Sequence, residues 1–143
     1  MIIGVSSCLL GENCKYNGGN NRSEKVCALA KDHTLIGVCP EMLGGLPCPR
    51  TPCEIVGDQV ISKTGQNCTK AYEGGAQKAL KILKDQKAEM VILQPRSPSC
   101  GAKKIYDGSF SGTLIEGQGT FAKLLKENSI PVVEADSLSV VID

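Results

Sequence analysis

A single α/β domain, Rossmann-like, with a mostly parallel central sheet and flanking helices, is the fold that this chain predicts. Three observations carry it. Short apolar runs at residues 2–5, 35–38 and 90–93 alternate with helical patterns, the order that builds parallel strands joined by helical crossovers. The run Met90-Val91-Ile92-Leu93 shows no polar alternation, as a strand covered on both faces requires. The 143 residues, 41% hydrophobic, suffice for one core and one domain, residues 1–143.

In chain order, residues 2–6 form the first strand, followed by a polar loop over 11–21 with turn signals at Asn17-Gly18-Gly19. Ser23 caps a short helix carrying Val26, Ala28, Leu29 and Ala30. Residues 34–38 are the second strand. The stretch 40–52 is too rich in proline for a regular element. Two short runs around Gly57-Asp58 predict a small hairpin. Thr69 is expected to cap the main helix, which runs to Gln86 with Ala76, Ala79, Leu80, Ile82 and Leu83 inward. Within it, Gly74-Gly75 either weakens the first turns or permits a close packing contact. The third strand covers 89–93, a helix covers 120–128 with Phe121, Leu124 and Leu125 inward, and strands are expected at 130–134 and 138–142.

The bulk numbers exclude several classes. A net charge of +1 gives no electrostatic case for a nucleic-acid polymer as partner. Aromatic residues make up 3% and tryptophan is absent, which argues against the usual base-stacking surfaces of such proteins. No apolar run reaches membrane-spanning length, and the first residues read as a strand rather than a signal peptide. A cytoplasmic setting follows as the expectation, and there eight cysteines need a reason other than disulfides.

That reason is spatial. Cys8, Cys39 and Cys100 each follow one of the apolar runs. If those strands are parallel neighbours, the three thiols meet at the sheet edge where open α/β sheets bind ligands. Three soft ligands suit a thiophilic metal or cluster with a free coordination position. Taken alone, Cys8 is equally a small buried hydrophobe. Glu41, two residues past Cys39, reads as a general acid/base if partly desolvated, or as a solvated loop carboxylate. Gly44 and Gly45 allow backbone to approach a ligand, and Arg50 suits an anion such as phosphate, or a neighbouring carboxylate. The loop Ser97-Pro98-Ser99-Cys100-Gly101 offers two hydroxyls that can donate to a cluster sulfur or to substrate.

Cys14, Cys48 and Cys53 are read as accessory thiols or alternative ligands, and Cys27 and Cys68 as structural. No Cys-x-x-Cys spacing occurs. His33, the only histidine, precedes the second strand and lies at the opposite edge. The helix start after Gly117-Gln118-Gly119 is a weak phosphate signal.

Together, Ser6-Ser7-Cys8-Leu9-Leu10-Gly11, Cys39-Pro40-Glu41, Gly44-Gly45-Leu46-Pro47, Pro49-Arg50 and Ser97-Pro98-Ser99-Cys100-Gly101 resemble one family, the small proteins called domain of unknown function 523. Ile105-Tyr106-Asp107-Gly108 and Gly117-Gln118-Gly119 extend the likeness over nearly the whole chain. Its better understood members are similar to thiouracil desulfidases. The resemblance implies a [4Fe–4S] cluster on Cys8, Cys39 and Cys100, one that aerobic preparation can strip, and roles in proton transfer for Glu41 and Ser97. Gln94 stands where relatives usually show lysine, and Cys48 and Cys53 are atypical; both departures bear on substrate choice.

The implied activity is non-redox, hydrolytic removal of sulfur from a thiolated pyrimidine base or nucleotide. An open cluster iron binds the thiocarbonyl sulfur, water attacks the carbon, and Glu41 takes the proton with Ser97 relaying. The alternative is a cysteine-rich metal-binding protein, redox sensor or sulfur carrier without catalysis.

Overall fold

The computed structural model describes residues 1–137; the strand expected at 138–142 lies outside them. The elements run β1 (Ile2–Ser6), α1 (Glu24–Ala28), β2 (Thr34–Val38), α2 (Pro40–Leu43), β3 (Cys53–Val56), β4 (Gln59–Ser62), α3 (Thr69–Asp85), β5 (Met90–Leu93), β6 (Lys104–Tyr106), β7 (Leu114–Glu116), α4 (Thr120–Glu127) and β8 (Val132–Glu134). The central sheet has the order β2-β1-β5-β8 and every pairing is parallel. β3–β4 and β6–β7 are separate antiparallel hairpins. The first is the hairpin expected around Gly57-Asp58.

Strand parity divides the core in two. Ile3, Val5, Met90 and Ile92 face Val26 and Leu9, while Val91 and Leu93 face α3 and α4 through Ala79, Leu83, Phe121 and Leu125. All four residues of β5 are buried, which is why its sequence lacks alternation. Gly4 of β1 faces the α3 side, where a Cβ would stand 2.7 Å from Leu83 Cδ2, so the glycine lets α3 lie close on the central strand.

Three expectations are corrected. Thr69 is the first residue of α3 and Cys68 holds the cap position. The Thr69 hydroxyl instead accepts the Val60 N–H at 2.9 Å, tying the helix start to β4. The proline-rich stretch after Cys39 begins with a short helix, α2, because Pro40 sits at its first position, where no helical N–H is needed. Gly44, expected to face a ligand, faces α3: a Cβ there would meet the Ala71 carbonyl at 2.1 Å. Gly75 is its counterpart, its missing Cβ site 1.8 Å from the Pro40 carbonyl. The Gly74-Gly75 pair therefore serves close packing, and α2 with Glu41 is seated on α3 by the absence of two side chains.

Residues 1–33 place His33 beside the N-terminus, its Nδ1 3.2 Å from the Met1 nitrogen, at the edge away from the cysteines. No helix among the described residues is long and apolar enough to cross a membrane.

The glycine contact sets up a paired test. Gly75→Ala should lower stability by about 1–3 kcal/mol through overpacking. Gly74→Ala, which meets nothing within 4 Å, should raise it by roughly 0.5–1 kcal/mol, because alanine is the better helix former. Denaturant midpoints of both variants decide; equal midpoints would show that α2 does not sit against Gly75.

Candidate metal centre and active site

Sheet order sets the location. β1 pairs with β2 on one side and β5 on the other, so the chain reverses its direction of progress between β1 and β5. In open α/β sheets the crevice beyond such a switch point, at the carboxyl ends of the strands, is where ligands bind. Here it is a cavity of about 530 Å³ whose wall includes Cys8, Cys39 and Cys100, with Cys14, Glu41, Ser97 and Ser99. The three strand-end cysteines picked out by sequence thus face one space.

Each thiol is held by its own loop. Cys8 is the second residue of the 3-10 turn Ser7–Leu10, directly after β1. Its sulfur accepts Asn21 Nδ2 at 3.6 Å, and its carbonyl accepts the Asn21 N–H at 2.9 Å. Cys39 caps α2. Cys100 lies on a turn built by Ser97, whose Oγ accepts the N–H groups of Ser99 and Cys100 at 3.1 Å each. Ser99 Oγ donates to Cys100 Sγ at 3.6 Å. The far side of that loop is fixed by α4: Thr120 N–H donates to the Pro98 carbonyl, and Phe121 and Ala122 donate to that of Ser99. The α4 start, read from sequence as a possible phosphate site, spends its free N–H groups on the cysteine loop.

Cys14, the accessory thiol or alternative ligand of the sequence reading, lines the same cavity. Hydrogen bonding with the Cys39 and Cys8 thiols, and burial after it, raise the Cys14 thiol above its ordinary range. The same hydrogen bond is the main cause that lowers Cys8, with Asn21 adding to it against burial. Cys39 is brought down to about 7, by Cys14 first and then by the Met42 N–H and the Arg50 charge, against burial. Burial pushes Cys100 up to about 12 despite hydrogen bonds from Ser6 and Ser99. A thiol so buried ionises only when a cation compensates it, which is what metal ligation supplies.

Among the described residues no three Cys, His, Asp or Glu side chains close tightly enough around one point to hold a single metal ion. Three soft donors on three separate loops, facing one cavity, suit a cluster that gives each thiolate its own iron.

Glu41 lies on the same wall and is clamped at both oxygens. Tyr72 of α3, 1% exposed, donates its hydroxyl to Oε1, and Arg50 Nη2 donates to Oε2 at 2.8 Å. Arg50 is itself buried and also donates to the carbonyls of Cys14 at 2.9 Å and Pro47 at 3.1 Å. Burial alone would lower Arg50, but the Glu41 charge outweighs it and the guanidinium stays firmly protonated. The anion that Arg50 holds is therefore Glu41, and phosphate finds no free guanidinium there. Burial, with the Glu41 charge behind it, drives Tyr72 far above its usual range, so it acts as a fixed donor. Gly44, Gly45 and Arg50 are not on the cavity wall.

Asn21 and Tyr72 were not anticipated. Asn21 had only its place in a polar loop, and Tyr72 occupies a core-facing position of α3 where an aromatic reads as packing.

A family model for 2-thiouracil desulfurase matches residues 3–137. The chain belongs to the 2-thiouracil desulfurase family. An uncharacterized protein of Bacillus subtilis strain 168, YbbK, is 40% identical over 148 residues, covering 96% of this chain and 98% of that one. A solved structure, the [4Fe-4S]-dependent thiouracil desulfidase TudS, has a TM-score of 0.91 and 36% identity over 97% of this chain and 93% of its own. The fold is thus shared with a family named for sulfur removal.

The thiol environments give a pH test on cluster-free protein. Cys39, lowered to about 7, is largely thiolate above that pH, so its alkylation rate should rise to a plateau between about pH 7 and 8. Cys100, raised to about 12, and Cys53, raised to about 11 by burial, stay protonated and should resist reagent until far higher pH. Peptide mapping after timed iodoacetamide exposure reads the order; Cys100 reacting as fast as Cys39 would contradict it.

Proposed function

We propose that this chain is a [4Fe–4S]-dependent desulfidase that removes sulfur hydrolytically from a thiolated pyrimidine base or nucleotide. The observation that carries the reading is the meeting of Cys8, Cys39 and Cys100 with a clamped Glu41 on one cavity wall. When bound, a cluster held by three thiolates offers an open iron, a soft Lewis acid matched to a thiocarbonyl sulfur.

The remaining work falls to the chain. Cys8, Cys39 and Cys100 hold the cluster. The overall change exchanges the sulfur of C=S for the oxygen of water, giving C=O and hydrogen sulfide with no change in oxidation state. Glu41 receives the proton of the attacking water on a carboxylate lone pair that Tyr72 and Arg50 leave free, and returns it to the departing sulfur. Ser97 and Ser99, 3.0 Å apart through their hydroxyls, supply a short relay beside Cys100. Tyr72 stays protonated and so does not compete for that proton.

A second reading, a metal-binding sensor or sulfur carrier, is favoured by Cys14, since a fourth thiol at the site suits a saturated cluster. The clamped carboxylate and the cavity weigh for catalysis, because a sensor needs neither.

Anaerobic reconstitution tests both. Desulfidase activity requires brown protein with about four irons per chain that releases sulfide from 2-thiouracil. Glu41→Gln should keep iron and colour yet slow sulfide release by about 100-fold or more. Full activity in that variant would remove Glu41 from the chemistry; a loaded but inert wild type would favour the sensor or carrier.

A further inference from the structure

The chain has five aromatic side chains, three tyrosines and two phenylalanines. Phe121 is buried in the core. The other four, Tyr16, Tyr72, Tyr106 and Phe110, all line the one cavity that holds the cysteines. An aromatic-poor protein has concentrated its π surface at its ligand site. Tyr72 is committed to Glu41 and Tyr16 is 46% exposed at the rim, which leaves Tyr106 and Phe110 as walls.

Phe110 stands apart for two reasons. It is half-buried but belongs to none of the hydrophobic clusters, so core packing does not account for its position. Its backbone also has φ +56°, a left-handed conformation that a bulky side chain rarely adopts. That conformation is held from outside the turn. Glu54 of β3 accepts the N–H of Gly108 at 2.9 Å and of Phe110 at 3.1 Å on one oxygen, Oε1. A disfavoured residue over-determined by its surroundings and facing a cavity is the pattern of a ligand contact.

We propose that Phe110 is the stacking platform for the planar ring of the substrate, which makes it the specificity-determining residue, and that Glu54 is the residue that positions it. The identity of the ring rests on the desulfidase reading above. A ring lying on Phe110 presents a flat π face, which a conjugated pyrimidine has and its 5,6-dihydro analogue, puckered at two saturated carbons, lacks. Both compounds carry the same thiocarbonyl and the same N–H groups. Stacking therefore selects between substrates without touching the bond that breaks.

The test compares wild type, Phe110→Leu and Glu54→Ala as loaded protein, with 2-thiouracil and 5,6-dihydro-2-thiouracil as substrates and uracil as a sulfur-free ligand in calorimetry. Leucine keeps an apolar wall and removes only the π face. Phe110→Leu should raise KM for 2-thiouracil about 5- to 150-fold, the range found for loss of a base–aromatic stack. Its kcat should stay within about twofold, KM for the dihydro compound should not change, and uracil binding should weaken by the same factor as KM for 2-thiouracil. Glu54→Ala should shift KM in the same direction and also spare kcat.

Equal losses for both substrates would make Phe110 a mere shield and overturn the proposal, as would unchanged uracil affinity or a wild type that does not bind uracil. A wild type that binds uracil but releases no sulfide would instead sink the desulfidase reading, while the uracil comparison still decides the stacking.

Discussion

β1 is hydrogen-bonded on both sides by parallel partners, Val5 standing opposite Gly37 of β2 and Ile92 of β5. Everything functional hangs from that double pairing. Because the three strands run the same way, their carboxyl ends finish at one edge, and the residues just past them are neighbours although they are up to 92 positions apart. Cys8, Cys39 and Cys100 owe their proximity to backbone ladders rather than to any contact of their own. A slip of one residue in either ladder would turn every side chain of the strand to its other face and break both halves of the core.

A second layer of constraint fixes the carboxylate. Glu41 belongs to a helix of only four residues, too short to hold itself. It is held by what surrounds it: Gly44 and Gly75 let α2 lie directly on α3, Tyr72 rises from α3 to Oε1, and Arg50 closes on Oε2. Removing one charge of a buried pair leaves the other uncompensated, so the clamp defines the state of the site as well as its shape. The half-buried carboxylate and its guanidinium also sit beside a group of thiols that must ionise to bind metal, where the Glu41 charge opposes the Cys39 thiolate and the Arg50 charge favours it.

Much of this was legible in the residues, for physical reasons. Met90-Val91-Ile92-Leu93 announces a doubly covered strand because burial on two faces leaves no room for polar alternation. Cysteines at strand ends can be placed once the strands are, since α/β topology dictates which edge they reach. What stayed hidden depends on contacts across the fold. Tyr72 follows the same apolar spacing as Ala76 and Leu80, and nothing local separates a tyrosine that packs from one that donates to a carboxylate. Gly44 reads as room for a ligand until the helix that fills the room is known. Arg50 reads as an anion site, correctly, but the anion lies nine residues away in the same chain. Phe110 lies among glycines and serines, where turn propensity masks a side chain with a task. The scarcity of aromatics spoke against nucleic-acid polymers. Only the fold shows that the few present are gathered in one place.

The loop of Cys100 satisfies its backbone with protein groups alone: the Ser97 hydroxyl from within, the first N–H groups of α4 from one side, and Glu134 Oε2 on the Ala102 N–H at 3.0 Å from another. In small zinc domains the ions organise the chain, and the chain unfolds when they leave. Here the groups that shape the loop belong to the protein itself, so the ordering of Cys100 is part of folding. A side chain already held in place gives up little conformational freedom when it takes a ligand, which favours binding.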